Sequence, residues 1–274
     1  MDENNYPGPL EALIVVLAVF FLILIGSTLL IMIFFLTNGQ GDTEMGNMKL
    51  MYILGAIPYI IIPFYYAKYR NYDLSQLFRF KSVPAHTVLI SFFIAVSLGV
   101  VSDEIDRLVQ IFLPIPDFFQ EIIKSMQADT MSDWLLLILG VVIFAAVSEE
   151  MVFRGFLQVT LEKRGDVTRA VLLSSLTWTM IHMNPYWAIQ IFISGVIIGF
   201  VAWRTGSIIP AILIHGINNF MALLAYNNEP LPDWYTMGDH VTPELLIPSL
   251  AVLVYSIIKL NDYYRRKADI DLHL

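Results

Sequence analysis

Apolar runs separated by short polar stretches set the plan of the chain. The runs predict membrane helices at 12–36, 50–67, 84–101, 134–161, 168–182, 186–203, 207–225 and 244–260. Stretches of about eighteen or more residues with almost no charge read as membrane spans. The expected fold class is therefore all-α: a polytopic membrane helix bundle of about eight transmembrane helices, forming one membrane domain over 1–274. Pro58, Pro63, Pro210 and Pro248 fall inside spans, where neighbouring helices re-satisfy the freed carbonyls, so they predict kinks and not breaks. The polar connection 102–133 is the longest. Within it Phe118, Phe119, Ile122, Ile123 and Met126 recur at helical spacing between Asp117, Glu121 and Lys124, the pattern of a helix lying in the interface.

Composition agrees. Of 274 residues 57% are hydrophobic and 15% charged, against about 25% charged in soluble domains. Cysteine is absent, which removes disulfides, thiolate metal sites and a cysteine nucleophile. No basic patch interleaved with aromatics exists, so nucleic acid is not an expected partner. Residues 1–9 lack the positive region of a cleavable signal, and the first apolar run is too long for one. That run is expected to remain as a helix.

The net charge of −8 is unevenly placed. With the amino terminus inside and the spans alternating, Lys68, Arg70, Arg79, Lys81, Lys163, Arg164, Arg169, Arg204, Lys259, Arg265, Arg266 and Lys267 fall on the cytoplasmic side. Only Lys49, Arg107 and Lys124 fall outside, along with Asp42, Glu44, Asp103, Glu104, Asp106 and further acids. The positive-inside rule then places both termini in the cytoplasm, and the lack of an appended targeting segment points to a prokaryotic plasma membrane.

Three of the later spans carry polar residues that the bilayer disfavours. In the fourth, Glu149, Glu150 and Arg154 interrupt a helix that is apolar on both sides. Ionisable groups there usually face the bundle interior or a water-filled cavity. Glu150 and Arg154, four apart, share a face and can pair; Glu149 is turned about 100° away. The fifth span offers Trp178 and His182, and the seventh His215 and Asn219, each pair again four apart. Counted from the turns on the basic side, Glu149, His182 and Asn219 all lie about 20 Å deep, with His215 a turn shallower. A purely stabilising network of Glu149, Glu150 and Arg154 is one reading of this pattern, and a satisfied interhelical partner is one reading of each histidine. His86, His240 and His273 sit at span edges or in connections and receive no role.

Taken together, Glu149-Glu150-x-x-x-Arg154, Trp178-x-x-x-His182 and His215-x-x-x-Asn219 resemble the three ordered motifs of the CaaX protease and bacteriocin-processing (Abi-type) family of intramembrane glutamic endopeptidases. The resemblance covers roughly 130–225. It implies a protease acting on a membrane-associated peptide, prenylated or bacteriocin-like. Glu149 would activate a water with the help of His182, and His215 and Asn219 would form the oxyanion hole. Glu150 and Arg154 would support Glu149. The family usually has Phe where this chain has Trp178, which keeps an aromatic wall. The resemblance implies no cofactor and no metal. A zinc-dependent protease held by Glu and His, and a non-catalytic transporter, scaffold or immunity protein, are the alternatives the residues leave open.

Overall fold

A chain crossing hydrocarbon must satisfy its backbone N–H and C=O groups internally, and helices do this segment by segment. The computed structural model describes residues 5–38, 45–228 and 230–271. Its elements are α1 (Pro9–Asn38), α2 (Met45–Tyr69), α3 (Leu74–Leu77), α4 (Ala85–Phe112), α5 (Asp117–Ser125), α6 (Met131–Arg164), α7 (Val167–Ile181), α8 (Ala188–Thr205) and α9 (Ile209–Tyr226). A two-stranded hairpin, β1 (Thr236–Met237) with β2 (His240–Val241), leads into α10 (Pro243–Asp271). Among the described residues seven helices are long and apolar enough to cross a membrane. The chain is an integral, multi-pass, all-α membrane protein.

Two expectations need correction. The fifth span is α7, only 15 residues, or about 22 Å against a hydrocarbon core of about 30 Å. The connection expected at 102–133 is helical as far as Phe112. Its charges lower the hydropathy there, yet Asp103 with Arg107 (3.0 Å) and Asp106 with Gln110 (2.7 Å) pair at i,i+4 and continue α4. Lys49, read as an outer-side charge, is buried and paired with Asp133 at 2.9 Å. The helix expected within this connection forms as α5, although the side chains at 118 and 120–122 lie outside the described residues, as do Asp42, Glu44 and His273.

The contacts that close the bundle define its two ends. At one end Arg79 pairs with Glu162, and the Ser207 hydroxyl donates to the Lys81 carbonyl. The Arg204 guanidinium donates to the Asn261 carbonyl at 3.0 Å, and the Lys163 ammonium sits 4.9 Å over the Tyr6 ring. Glu11 anchors α1 here by accepting from the Tyr66 and Tyr72 hydroxyls at 2.6 and 2.8 Å. The opposite end holds the Lys49–Asp133 pair and the His240–Glu104 contact at 2.9 Å.

Two buried apolar clusters fill the interior. One joins α1, α2, α6 and α7 through Val16, Ala67, Phe153, Phe156 and Trp178, with Phe78 after α3 packed among them. The other joins α4, α8, α9 and α10 through Ile94, Leu98, Ile198, Ile214 and Leu253. Between them runs α6, which is not a uniform α-helix: π-helical turns at Ile138–Phe144 and Met151–Leu157 flank an α-helical Ala145–Glu150. A π turn is wider and leaves carbonyls without their usual i+4 donor, and a buried carbonyl needs a partner. Side chains of neighbouring elements supply it. Asn219 donates to the Val141 carbonyl at 2.8 Å, Ser174 to that of Phe153 at 2.7 Å, and Arg79 to that of Arg154 at 3.2 Å.

Arg79 thus ties the first half of the chain to α6 twice, and its own carbonyl accepts from Ile208 N–H at the start of α9. Arg79→Ala removes both side-chain ties and strands a mostly buried Glu162. It is expected to cost about 3 kcal/mol, read as a lower unfolding midpoint in detergent.

Candidate active site

The polar centre starts from Arg154, whose side chain has no exposure at all. An unpaired guanidinium in such a place would be prohibitive. Glu150, equally buried, accepts from Arg154 Nη1 at 3.1 Å through the expected i,i+4 pairing. Nη2 donates to the Gly195 carbonyl at 3.3 Å, and the guanidinium lies 4.3 Å from the Trp178 ring centroid, close enough for a cation–π contact. Gly195 permits this approach. A Cβ there would stand 3.0 Å from the Trp178 ring and 3.3 Å from Arg154 Nη2. Even so, Glu150 Oε2 and Arg154 Nε have no partner among the described residues.

His215 joins α9 to this pair: its Nδ1 donates to Glu150 Oε1 at 2.8 Å. With Nδ1 committed, Nε2 faces the second carboxylate, Glu149, whose Oε2 is 4.0 Å away. Glu149 has a different environment from its neighbour. It is about one-fifth exposed, and its Oε2 accepts from the Trp178 indole N–H at 2.6 Å. Trp178 therefore meets Arg154 with its face and Glu149 with its edge donor. Its ring also stands edge-on to His182 at 5.0 Å and His215 at 5.3 Å.

His182 lies where α7 ends. Its Nδ1–H donates to the Trp178 carbonyl at 2.7 Å, satisfying one carbonyl that a helix terminus leaves open and leaving the Nε2 lone pair of a neutral ring available. The following residue, Met183, has φ 49°, a left-handed conformation that stops the helix.

A cavity of about 260 Å³ opens at Glu149. Trp178, His182, Phe153 and Ile181 line it from α6 and α7, and Tyr59 lines it from α2. From α1 come Phe20, Ile23, Leu24 and Ser27. Six of the seven site residues read from the sequence are thus linked: Glu149, Trp178 and His182 at the cavity wall, with His215, Glu150 and Arg154 behind it. Asn219 is one turn beyond His215, and its amide is engaged by Val141. The sequence reading missed the α1 and α2 residues, because the first half of the chain carries no recognisable motif. A phenol inside the proline-kinked span at Pro58 was the available signal. The other histidines are placed away from the site: His86 packs against Tyr263 at 4.1 Å, and His240 joins Glu104. Among the described residues no group of three or more His, Asp or Glu side chains is arranged to hold a metal ion.

A carboxylate and an imidazole thus share the wall of one cavity, with a second imidazole behind it. Residues 131–221 match the family described as Type II CAAX prenyl endopeptidase Rce1-like. The match agrees with the resemblance carried by the three motifs and supports, at the coarse level, a membrane protease, a hydrolase. The match begins with α6, ends within α9 and contains all seven residues. No curated protein and no solved structure matches the chain.

Arg154→Ala leaves Glu150 buried with half its partners gone. A loss of about 3–5 kcal/mol is expected, measurable as unfolding in detergent, whereas Glu150→Gln with Arg154 intact should lose less than that.

Proposed function

We propose that this protein is an intramembrane endopeptidase in which Glu149 activates a water for attack on a peptide bond of a membrane-associated substrate. The observation that carries this reading is the position of Glu149. Its carboxylate is fixed by the Trp178 N–H at the wall of a cavity that His182 also lines, while the adjacent Glu150 is consumed by Arg154 and His215. Two consecutive carboxylates have separate tasks: one accepts a proton, the other neutralises a cation.

In the reaction the water lies between Glu149 and His182 Nε2. Glu149 takes its proton as the oxygen attacks the carbonyl carbon. The pair displaced from the carbonyl becomes an oxyanion, stabilised by donors fixed beside it; removing one such donor typically costs on the order of 3 kcal/mol. His215 is one donor, through Nε2 when that atom carries a proton. Asn219 is a second, provided its amide leaves the Val141 carbonyl. The C–N bond then breaks, and the amine departs with the proton held by Glu149. His215, anchored by Glu150, keeps its ring oriented throughout.

A CAAX prenyl endopeptidase family makes a prenylated carboxy-terminal peptide the first substrate to try, and a bacteriocin-like peptide the second. The end of the bundle carrying Arg70, Arg79, Lys81, Lys163 and Arg204 is assigned to the cytoplasm by the positive-inside rule.

The test uses the full chain in liposomes with an internally quenched farnesylated peptide of CAAX type. Wild type is expected to cleave it, Glu149→Gln to abolish cleavage while remaining folded, and a zinc chelator to leave the rate unchanged. Full activity in Glu149→Gln would sink the mechanism, and loss of activity to the chelator would promote the zinc reading. Trp178→Phe keeps an aromatic side chain but removes the indole N–H and its hydrogen bond to a carboxylate, a contact of about 1.5–3 kcal/mol. It is expected to lower kcat by roughly 10- to 100-fold with little change in KM.

A further inference from the structure

We propose that Tyr59, on α2 outside the matched segment, is a catalytic residue whose hydroxyl donates to the carbonyl oxygen of the scissile bond. The inference deepens the glutamate-protease reading and rests on it.

The argument is an account of donors at the cavity. Four side chains that line it can donate: Ser27, Tyr59, Trp178 and His182. Three are committed. Ser27 donates to the Leu24 carbonyl at 3.1 Å, Trp178 to Glu149, and His182 Nδ1 to the Trp178 carbonyl. Nε2 of a neutral His182 is an acceptor. The Tyr59 hydroxyl has no hydrogen-bond partner among the described residues, although the ring is packed 6.3 Å from Phe153. A mostly enclosed phenol normally finds a partner, so an uncommitted one beside a cavity is a donor awaiting an acceptor. The Glu149 carboxylate lines the same cavity. Neither of the two donors the sequence offered for this task lines the cavity: His215 stands behind Trp178 with Nδ1 on Glu150, and Asn219 has its amide on the Val141 carbonyl.

Placement on α2 gives the geometry its sense. α6 and α7 bring the base and the imidazole to one wall, and α2 brings the phenol to the same cavity from another helix. A carbonyl entering between them would have its carbon toward the water on Glu149 and its oxygen free for a donor on a different element. Tyr59 transfers no proton. It donates one hydrogen bond that strengthens as charge develops on the oxygen and weakens again when the C–N bond breaks, so water and peptide still give one acid and one amine.

Differential stabilisation of this kind appears in kcat and not in substrate binding. The experiment compares Tyr59→Phe, Asn219→Ala and Glu149→Gln in the full chain in liposomes, on the same farnesylated quenched peptide. Tyr59→Phe changes no ring volume and is expected to lower kcat by about 10²-fold at a nearly constant KM, with the unfolding midpoint retained. Tyr59→His, which restores a donor, is expected to regain part of that loss. The proposal is overturned if Tyr59→Phe keeps wild-type kcat, or if its defect is confined to KM, while Glu149→Gln is dead. It is equally overturned if Asn219→Ala shows the 10²-fold kcat loss and Tyr59→Phe does not. Activity in Glu149→Gln would instead remove the glutamate reading on which it rests.

Discussion

A guanidinium with no access to solvent, placed inside an apolar bundle, is the constraint from which the rest of the site follows. Arg154 can be there only with a counter-charge at contact distance, and Glu150 provides it. That pairing spends Glu150, recruits His215 from α9 and draws α8 close enough for the Gly195 carbonyl to accept. It also fixes the face of Trp178, and through the indole N–H it fixes Glu149. Glu149 is thus held indirectly, by a ring clamped on its other side by the cation. The pair is not fully satisfied, since one oxygen and one nitrogen lack partners. Stability alone would be served as well by an apolar replacement, and such incompletely satisfied buried groups concentrate where a protein does chemistry.

The π turns of α6 are the second organising element. Each widens the helix beside the paired carboxylates and exposes carbonyls that neighbouring side chains must cap. The caps come from α7, α9 and the connection after α3. Helices that carry Trp178 and His215 are therefore locked in register to the helix that carries Glu149 by hydrogen bonds that α-helical geometry would not have made available. Asn219 acquires in this way a structural use that its motif did not suggest.

How much of this was legible in the chain depended on range. Hydropathy located the helices, and the i,i+4 rule paired Glu150 with Arg154 because that contact is local. Depth counting brought Glu149, His182 and Asn219 to one level, with His215 a turn shallower, since helical rise is nearly constant. Boundaries failed where charge and helix coexist: Asp103, Glu104, Asp106 and Arg107 read as a connection, yet they extend α4. Glu104 is needed there to receive the Val241 N–H and His240. The π turns left no compositional mark. The bond from Trp178 to Glu149 joins two helices, and spacing within either one says nothing of it. Tyr59 was invisible for the same reason, being one aromatic among many until the cavity singled it out.

The shortness of α7 has a consequence for the surrounding bilayer. Leu172, Leu173, Leu176 and Met180 present its outer face, but the helix stops at His182 several ångströms before a membrane of ordinary thickness would. Hydrophobic mismatch of this sign is accommodated by thinning of the adjoining leaflet. On the α7 flank, headgroups and their hydration are then expected to stand closer to the cavity, and the path from the membrane surface to Glu149 is shortened by the lipid as well as by the protein.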